Sequence, residues 1–263
     1  MDSIMLLVKV TTFSMIGLAC IMGITSCKAD TQETDQRSVH GYDSVSLETV
    51  GRLVIIQGDK EYLTIEAPPE MVRRITTKVS KNTLRIGYKG IFTSKNAIPI
   101  FRLGMKNVKK IYADSSGDIA AEQIRTDNLT IKASSSGNIT IKTLESNTAI
   151  IKVQSSGNVI IESCKLNKLD TELESSGSLD LAGETNRINV ISSSSGKFNG
   201  ENLKTLIAEV RLTSSGSAVI WIMNHLDANL TSKGDLQYYG DPVTGKQSTD
   251  GKGKIIKLGQ KKS

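Results

Sequence analysis

Apolar and polar residues alternate along most of this chain, in short runs that end on a glycine preceded by two serines. Those glycines stand at 117, 137, 157, 177, 196 and 216, and Gly234, after Ser232-Lys233, continues the series, so the runs recur every 18 to 20 residues. Aligned on the glycine, the second position after it holds Ile119, Ile139, Val159, Leu179, Phe198, Ala218 and Leu236. The fourth holds Ala121, Ile141, Ile161, Leu181, Gly200, Ile220 and Tyr238, and the seventh Ile124, Leu144, Cys164, Glu184, Leu203 and Met223. A second alternating run follows at the twelfth and fourteenth positions, as in Leu129 with Ile131 and Ala149 with Ile151; in the shorter unit it slides to Ile188 and Val190. Period-two alternation places every second side chain on one face of a strand. Each unit therefore predicts two strands, with one turn at Ser-Ser-Gly and another near Glu145–Asn147.

A single unit cannot bury its apolar row, whereas stacked units pair backbone to backbone around a continuous core. The fold expected is all-β: a parallel β-helix or β-roll solenoid of ~20-residue coils, each stacked about 4.8 Å from the next. Glycine at every corner suggests a turn of positive φ. Glu184 breaks an apolar column, which predicts a bulge in the shorter coil that lets the carboxylate out. Ahead of the repeats, five short strands are expected within Ser46–Glu48, Leu53–Gln57, Tyr62–Glu66, Ile75–Val79 and Thr83–Tyr88, forming an N-terminal β-strand cap over the first coil.

The remaining segments have other signatures. Residues 1–26 read as a lipoprotein signal peptide, an apolar stretch ending at Ile24-Thr25-Ser26-Cys27, with translation starting at Met1 or Met5. That ending makes Cys27 the expected lipidation site; Gly17-Leu18-Ala19-Cys20 is a weaker competitor, and a plain signal peptide or uncleaved anchor is the alternative. Residues 27–43 are polar and read as a flexible tether, 44–110 as the N-terminal β region and 111–243 as the β-helix repeats. Residues 244–263 read as a basic C-terminal tail carrying Lys252, Lys254, Lys257, Lys261 and Lys262. Cleavage before Cys27 would leave Cys164 as the one free cysteine, a core thiol with no disulfide framework around it.

Composition narrows the chemistry. Aromatic residues make up 4% of the chain, so the core must be aliphatic, and a formal charge of +6 leans on the C-terminal segment. A polysaccharide lyase needs a base and several carboxylates on one face. The column after each glycine (Asp118, Asn138, Asn158, Ser178, Lys197, Ser217, Asp235) and the column of Lys132, Lys152, Glu172, Ile191 and Arg211 assemble no such group. The histidines, His40 and His225, lie in no nucleophile motif, and no His or Cys pair has metal-ligand spacing. No catalytic residue, metal or cofactor is therefore assigned. Export and the lack of a basic stripe interleaved with aromatics argue against nucleic acid. The candidate ligand face is Asn138, Asn158, Lys132, Lys152, Trp221 and Tyr239.

Taken together, the opening Val54-Ile55-Ile56-Gln57-Gly58-Asp59, the following Leu63-Thr64-Ile65-Glu66-Ala67, the repeated Ser-Ser-Gly-Asn corners and the closing Tyr238-Tyr239-Gly240-Asp241-Pro242 carry a resemblance. From about Ser44 to Val243 the chain resembles the head GIN domain family of autotransporter-adhesin-like proteins. The resemblance implies a β-helix, export to the envelope and an adhesive role without established catalytic residues. The chain departs from the label in having no C-terminal membrane-barrel segment. The expected anchor is instead lipid on Cys27, with Lys28 favouring the outer membrane of a bacterial envelope. Surface binding or adhesion, to a glycan among other ligands, is the function expected. The alternatives are a structural or signalling protein that binds another envelope protein and, third, a polysaccharide-active enzyme. Whether coils of several chains stack into an oligomer is left open.

Overall fold

The structure, a computed structural model, describes residues 32–92 and 97–261. The expected signal peptide, the lipidation site Cys27 and Lys262 lie outside the described residues. The repeats form six long strands: β9 (Asp118–Ala133), β10 (Ile139–Val153), β11 (Asn158–Leu173), β12 (Ser178–Ser192), β13 (Lys197–Leu212) and β14 (Ser217–Leu230). Each pairs in parallel with the next, so that Ile119, Ile139 and Val159 stack in one column and Leu129, Ala149 and Leu169 in another. The result is a β-solenoid of about eight turns. The two strands expected per coil are one continuous strand: around Glu145–Asn147 the chain bends but stays in the ladder, with Glu145 opposite Lys165 and Ser146 opposite Leu166. The hydrogen-bonded neighbour coil carries the bend, so no separate turn is needed.

Inward columns are closed to solvent, with Ile139, Ile141, Leu144, Ala149, Ile151 and Val153 all at 0% exposure. Departures from the aligned columns are register slips. β12 has one residue fewer after Leu181, so Cys164 faces Gly183 and Glu184 moves outward beside Lys165. Gly183 takes φ +118° at this point, a conformation that suits a residue without Cβ. Met223, expected inside, is 39% exposed, and Ile222 is buried in its place. The cause is an excursion of β13 between Gly200 and Lys204, whose partners Ile220 and Trp221 are adjacent in β14. Gly200 is small because the Phe198 ring occupies its side: a Cβ there would lie 2.7 Å from Phe198 Cε1.

The expectation of positive φ at the corner glycines is corrected. None of Gly117, Gly137, Gly157, Gly177, Gly196, Gly216 or Gly234 is among the left-handed glycines of the chain. Their requirement is steric and runs along the solenoid axis. A Cβ on Gly157 would sit 2.3 Å from Gly137 O and 2.7 Å from Ser135 O, backbone atoms of the coil beneath. Gly253 continues the same column over Gly234 O.

Below β9 the N-terminal region continues the two stacks of strands. β8 (Lys110–Ala113), β2 (Ser44–Leu47) and β6 (Thr83–Tyr88) extend the stack formed by the second halves of the long strands. β3 (Arg52–Gln57) and β7 (Ile100–Met105) extend the stack formed by the first halves. Both stacks end in antiparallel strands: β5 (Ile75–Ser80) on β6, and β4 (Tyr62–Ala67) on β7 followed by β1 (Glu33–Arg37) on β4. The short α1 (Pro69–Val72) buries Met71 and Val72.

Two boundaries differ from the sequence reading. Residues 33–37 are strand β1 rather than tether, and Val39 and Tyr42 beyond them are buried. Backbone pairing and one side chain hold β1, not apolar burial. Arg37 donates to Asp35 at 2.8 Å, to Ile75 O at 2.8 Å, to Thr77 Oγ1 at 3.2 Å and to Val72 O at 3.0 Å, the last near the α1 C-terminus. The segment read as a basic tail is a terminal coil: β16 (Val243–Thr249) pairs with β14, and β17 (Ile255–Gly259) with β15 (Leu236–Tyr239). Beyond inward Leu226, Ala228, Leu230, Leu236 and Tyr238 its stacked positions are Thr244, Gln247, Thr249, Ile255 and Lys257. The alternation fades because the last coil faces solvent on its far side.

Candidate binding site on the solenoid edge

The six residues expected to form a ligand face occupy three surfaces. Asn138 and Asn158 lie on the outward side of the first-half stack, where they build a ladder: Asn138 Nδ2 donates to Asp118 Oδ1 at 2.9 Å, and Asn158 Nδ2 to Asn138 Oδ1 at 3.1 Å. Ser178 Oγ then donates to Asn158 Oδ1 at 2.8 Å. Their hydrogen-bonding groups are spent along the axis. Lys132 and Lys152 are register neighbours on the outward side of the other stack. Lys152 Nζ lies 2.5 Å from Glu172 Oε2. Their hydrogen bond holds the Glu172 carboxyl below its ordinary range and raises the Lys152 ammonium. Trp221 and Tyr239 are brought together as register partners, with Lys261 Nζ 5.9 Å from the indole centroid and 5.2 Å from the phenol ring. Lys261 is itself held by Glu201 O at 2.7 Å and Asn202 Oδ1 at 2.8 Å, in the excursion of β13.

That aromatic pair closes a column the sequence alignment did not isolate. Arg125, Glu145, Lys165, Glu184, Lys204, Trp221 and Tyr239 follow one another in register along the bend of the coils. Opposite charges pair along it, Arg125 Nε with Glu145 Oε2 at 3.1 Å and Lys165 Nζ with Glu184 Oε1 at 3.6 Å. The pairs make a ridge with a trough on each side, each about 430 Å³. One trough passes Thr143, Ser163 and Gly183 and ends at Trp221; the other passes Ser146, Asn167, Asn186 and Leu206. Fixed spacing from the glycine hides the ridge, because both register slips fall inside it. Reading charge alternation through the nineteen-residue unit would have found it.

Groups suited to covalent chemistry are not arranged for it. Cys164 lies under the trough at 3% exposure, and burial pushes its thiol from 9.0 up to about 12. Iodoacetamide at about pH 8.5, near the ionisation point of a free thiol, should therefore leave native Cys164 unmodified and label it in urea. The same shift gives a pH dependence. Below 9.0 both folded and unfolded thiols are protonated; between 9.0 and about 12 only the unfolded one ionises, so the urea midpoint should fall as pH rises through that window. Alkylation of the native thiol at the unfolded rate would refute the assignment. His225 Nε2 is 3.3 Å from Asp227 Oδ2, and the one serine–histidine hydrogen bond among the described residues is the exposed Ser38–His40 contact at 2.9 Å. No three His, Cys, Asp or Glu side chains converge on a metal position among the described residues.

The described residues define a parallel β-solenoid whose bend carries a charged ridge with an open trough on each side. Residues 41–242 match the family described as "Putative auto-transporter adhesin, head GIN domain", and the chain belongs to that family. Similar solved structures include a "putative adhesin" from Parabacteroides merdae, 20% identical with a TM-score of 0.81, covering 88% of this chain and 97% of that one. A second "putative adhesin", from Parabacteroides distasonis, is 19% identical with a TM-score of 0.81 over 88% of this chain and 98% of that one. A "Putative lipid binding protein" from Parabacteroides distasonis is 22% identical, with a TM-score of 0.75 over 88% of this chain and 98% of that one. These likenesses show the fold. No curated protein matches the chain.

Proposed function

We propose that the chain is a non-catalytic protein of the bacterial cell envelope that acts in surface binding or adhesion, with glycans as its ligand class. The trough that ends at Trp221 carries this reading: it is an open channel that sets the hydroxyls of Thr143 and Ser163 and charged ridge side chains beside an aromatic ring, on a family scaffold associated with adhesion. Repeating coils offer similar groups at regular intervals, which suits a polymer better than a small metabolite. Lipid on Cys27 would hold the protein to the outer membrane. A glycan array probed with the mature chain is expected to give saturable binding to a restricted set of saccharides, and uniform silence would reject the glycan reading. Palmitate labelling should be lost in Cys27→Ser and retained in Cys20→Ser.

One observation favours a protein ligand instead. Val54, Ala120 and Ile160 line a shallow depression of about 560 Å³ on the outward first-half stack, and Ile160 is 39% exposed. An apolar strip on a flat sheet suits another envelope protein. In that reading the array stays silent and the chain co-purifies with one protein partner, lost when Ile160 is replaced by a charged residue.

A further inference from the structure

We propose that the trough ending at Trp221 is built for an acidic saccharide, a sugar ring bearing a carboxylate; the inference rests on the glycan reading and names the chemistry of its ligand. Three observations converge on one end of the trough. First, the loss of one residue from β12 brings Gly183 into the trough lining where neighbouring coils place Cys164 and Leu203. Having no Cβ, Gly183 lets β12 lie close against the Cys164 backbone, where a Cβ would sit 2.1 Å from Cys164 O, in the stretch of the trough between Ser163 and Lys204. Second, the cations of the ridge are neutralised pairwise except one. Arg125 pairs with Glu145 and Lys165 with Glu184, while exposed Lys204 has no carboxylate within 4.0 Å among the described residues. The residual positive charge therefore stands at the Trp221 end. Third, Lys204 and Trp221 are register partners, so cation and indole flank the same position.

A pyranose presents an apolar face of C–H groups and an equatorial rim of polar groups. The indole takes the former by stacking. A carboxylate on the rim reaches Lys204 as a charge-assisted hydrogen bond, stronger than a neutral one. The hydroxyls of Ser163 and Thr143 line the channel two and three coils away from Lys204 and meet the hydroxyls of the next sugars. Lys261, near the indole and phenol rings, is paired with Glu201 Oε1 at 3.2 Å and lies outside the channel lining, so Lys204 is the cation that meets the carboxylate. A neutral sugar keeps the stacking but leaves Lys204 without a counter-charge.

Trp221 is the chain's one tryptophan, so its fluorescence reports the site directly. Trigalacturonate added to the mature chain should change that fluorescence saturably and bind roughly tenfold more tightly than neutral galactotriose, with a preference that shrinks as salt is raised. Lys204→Gln should remove the preference and leave galactotriose binding in place; Lys132→Gln, on the other stack, should change neither. Trp221→Phe, which keeps a ring for packing but removes the fluorescence reporter, should weaken both sugars in isothermal titration calorimetry. Binding that leaves the indole fluorescence and the Lys204→Gln variant unaffected would overturn this site while leaving the glycan reading standing. Equal affinity for the two sugars would overturn the acidic preference. Silence towards both trisaccharides, with hits elsewhere on the array, would reject the ligand class alone.

Discussion

Gly157→Ala is expected to destabilise the solenoid by about 3 kcal/mol, at the upper end of the range for overpacking. The added methyl would lie 2.3 Å from Gly137 O and 2.7 Å from Ser135 O. Both obstacles are backbone, so no rotamer change relieves the clash. Moving that corner away strains the ladder on both sides, because β10 and β11 are paired along nearly their whole length. Gly58→Ala supplies the control: a Cβ there meets nothing within 4 Å, and its cost should be near zero or slightly favourable through a stiffer unfolded chain. Urea unfolding followed by the strand signal in circular dichroism compares the two. Similar midpoints would refute axial packing as the reason for the glycine column.

The same column shows how far sequence alone reaches. The spacing of Gly117 through Gly234 is plain in the chain, and the alternation around it predicts the paired, buried columns that the solenoid contains. The cause of the glycine is not plain, since a left-handed turn and a collision with the next coil select the same residue. Gly157 answers to the second cause alone, whereas Gly183 answers to both, with φ +118° and a Cβ position 2.1 Å from Cys164 O. Strands β1, β16 and β17 escape the pattern for another reason. Backbone ladders and polar contacts such as those of Arg37 hold them, and hydrogen bonds between peptide groups leave no trace in side-chain alternation.

The candidate site was legible in part. Trp221 and Tyr239 stand out in the chain as aromatic residues near the last coils, and they meet because they are register partners. Lys152 and Asn158 looked like members of one polar face because both are outward; they belong to different stacks, and Glu172 and Asn138 already engage them. The ridge from Arg125 to Lys204 needed the true register, which shifts where β12 loses a residue and β13 gains an excursion.

Removing residues 243–263 is expected to make the chain less stable and more prone to self-association. The last coil is a lid whose composition differs from every coil beneath it. Leu226, Leu230 and Leu236 are at most 1% exposed under β16 and β17, and Ala228 and Tyr238 are also buried. Uncovering the three leucines forfeits about 1.5–3 kcal/mol for each one fully exposed, so several kcal/mol in total. It also creates an apolar sheet end with unpaired backbone groups, the surface on which strands of another copy add. Terminal repeats with a polar outer side are what keep a solenoid finite. Here Thr244, Gln247, Thr249 and Lys257 stand where apolar residues would continue the core. The full-length variant Thr244→Val, Gln247→Leu, Thr249→Val separates the two effects. It keeps the covering strands and their ladder, so its melting temperature should stay near that of the parent, while the apolar end should drive concentration-dependent association in light scattering. The truncated chain should show association together with a lowered melting temperature. A monomeric truncated chain with an unchanged melting temperature would mean that β16 and β17 cover nothing the fold depends on, and that the solenoid ends at Pro242.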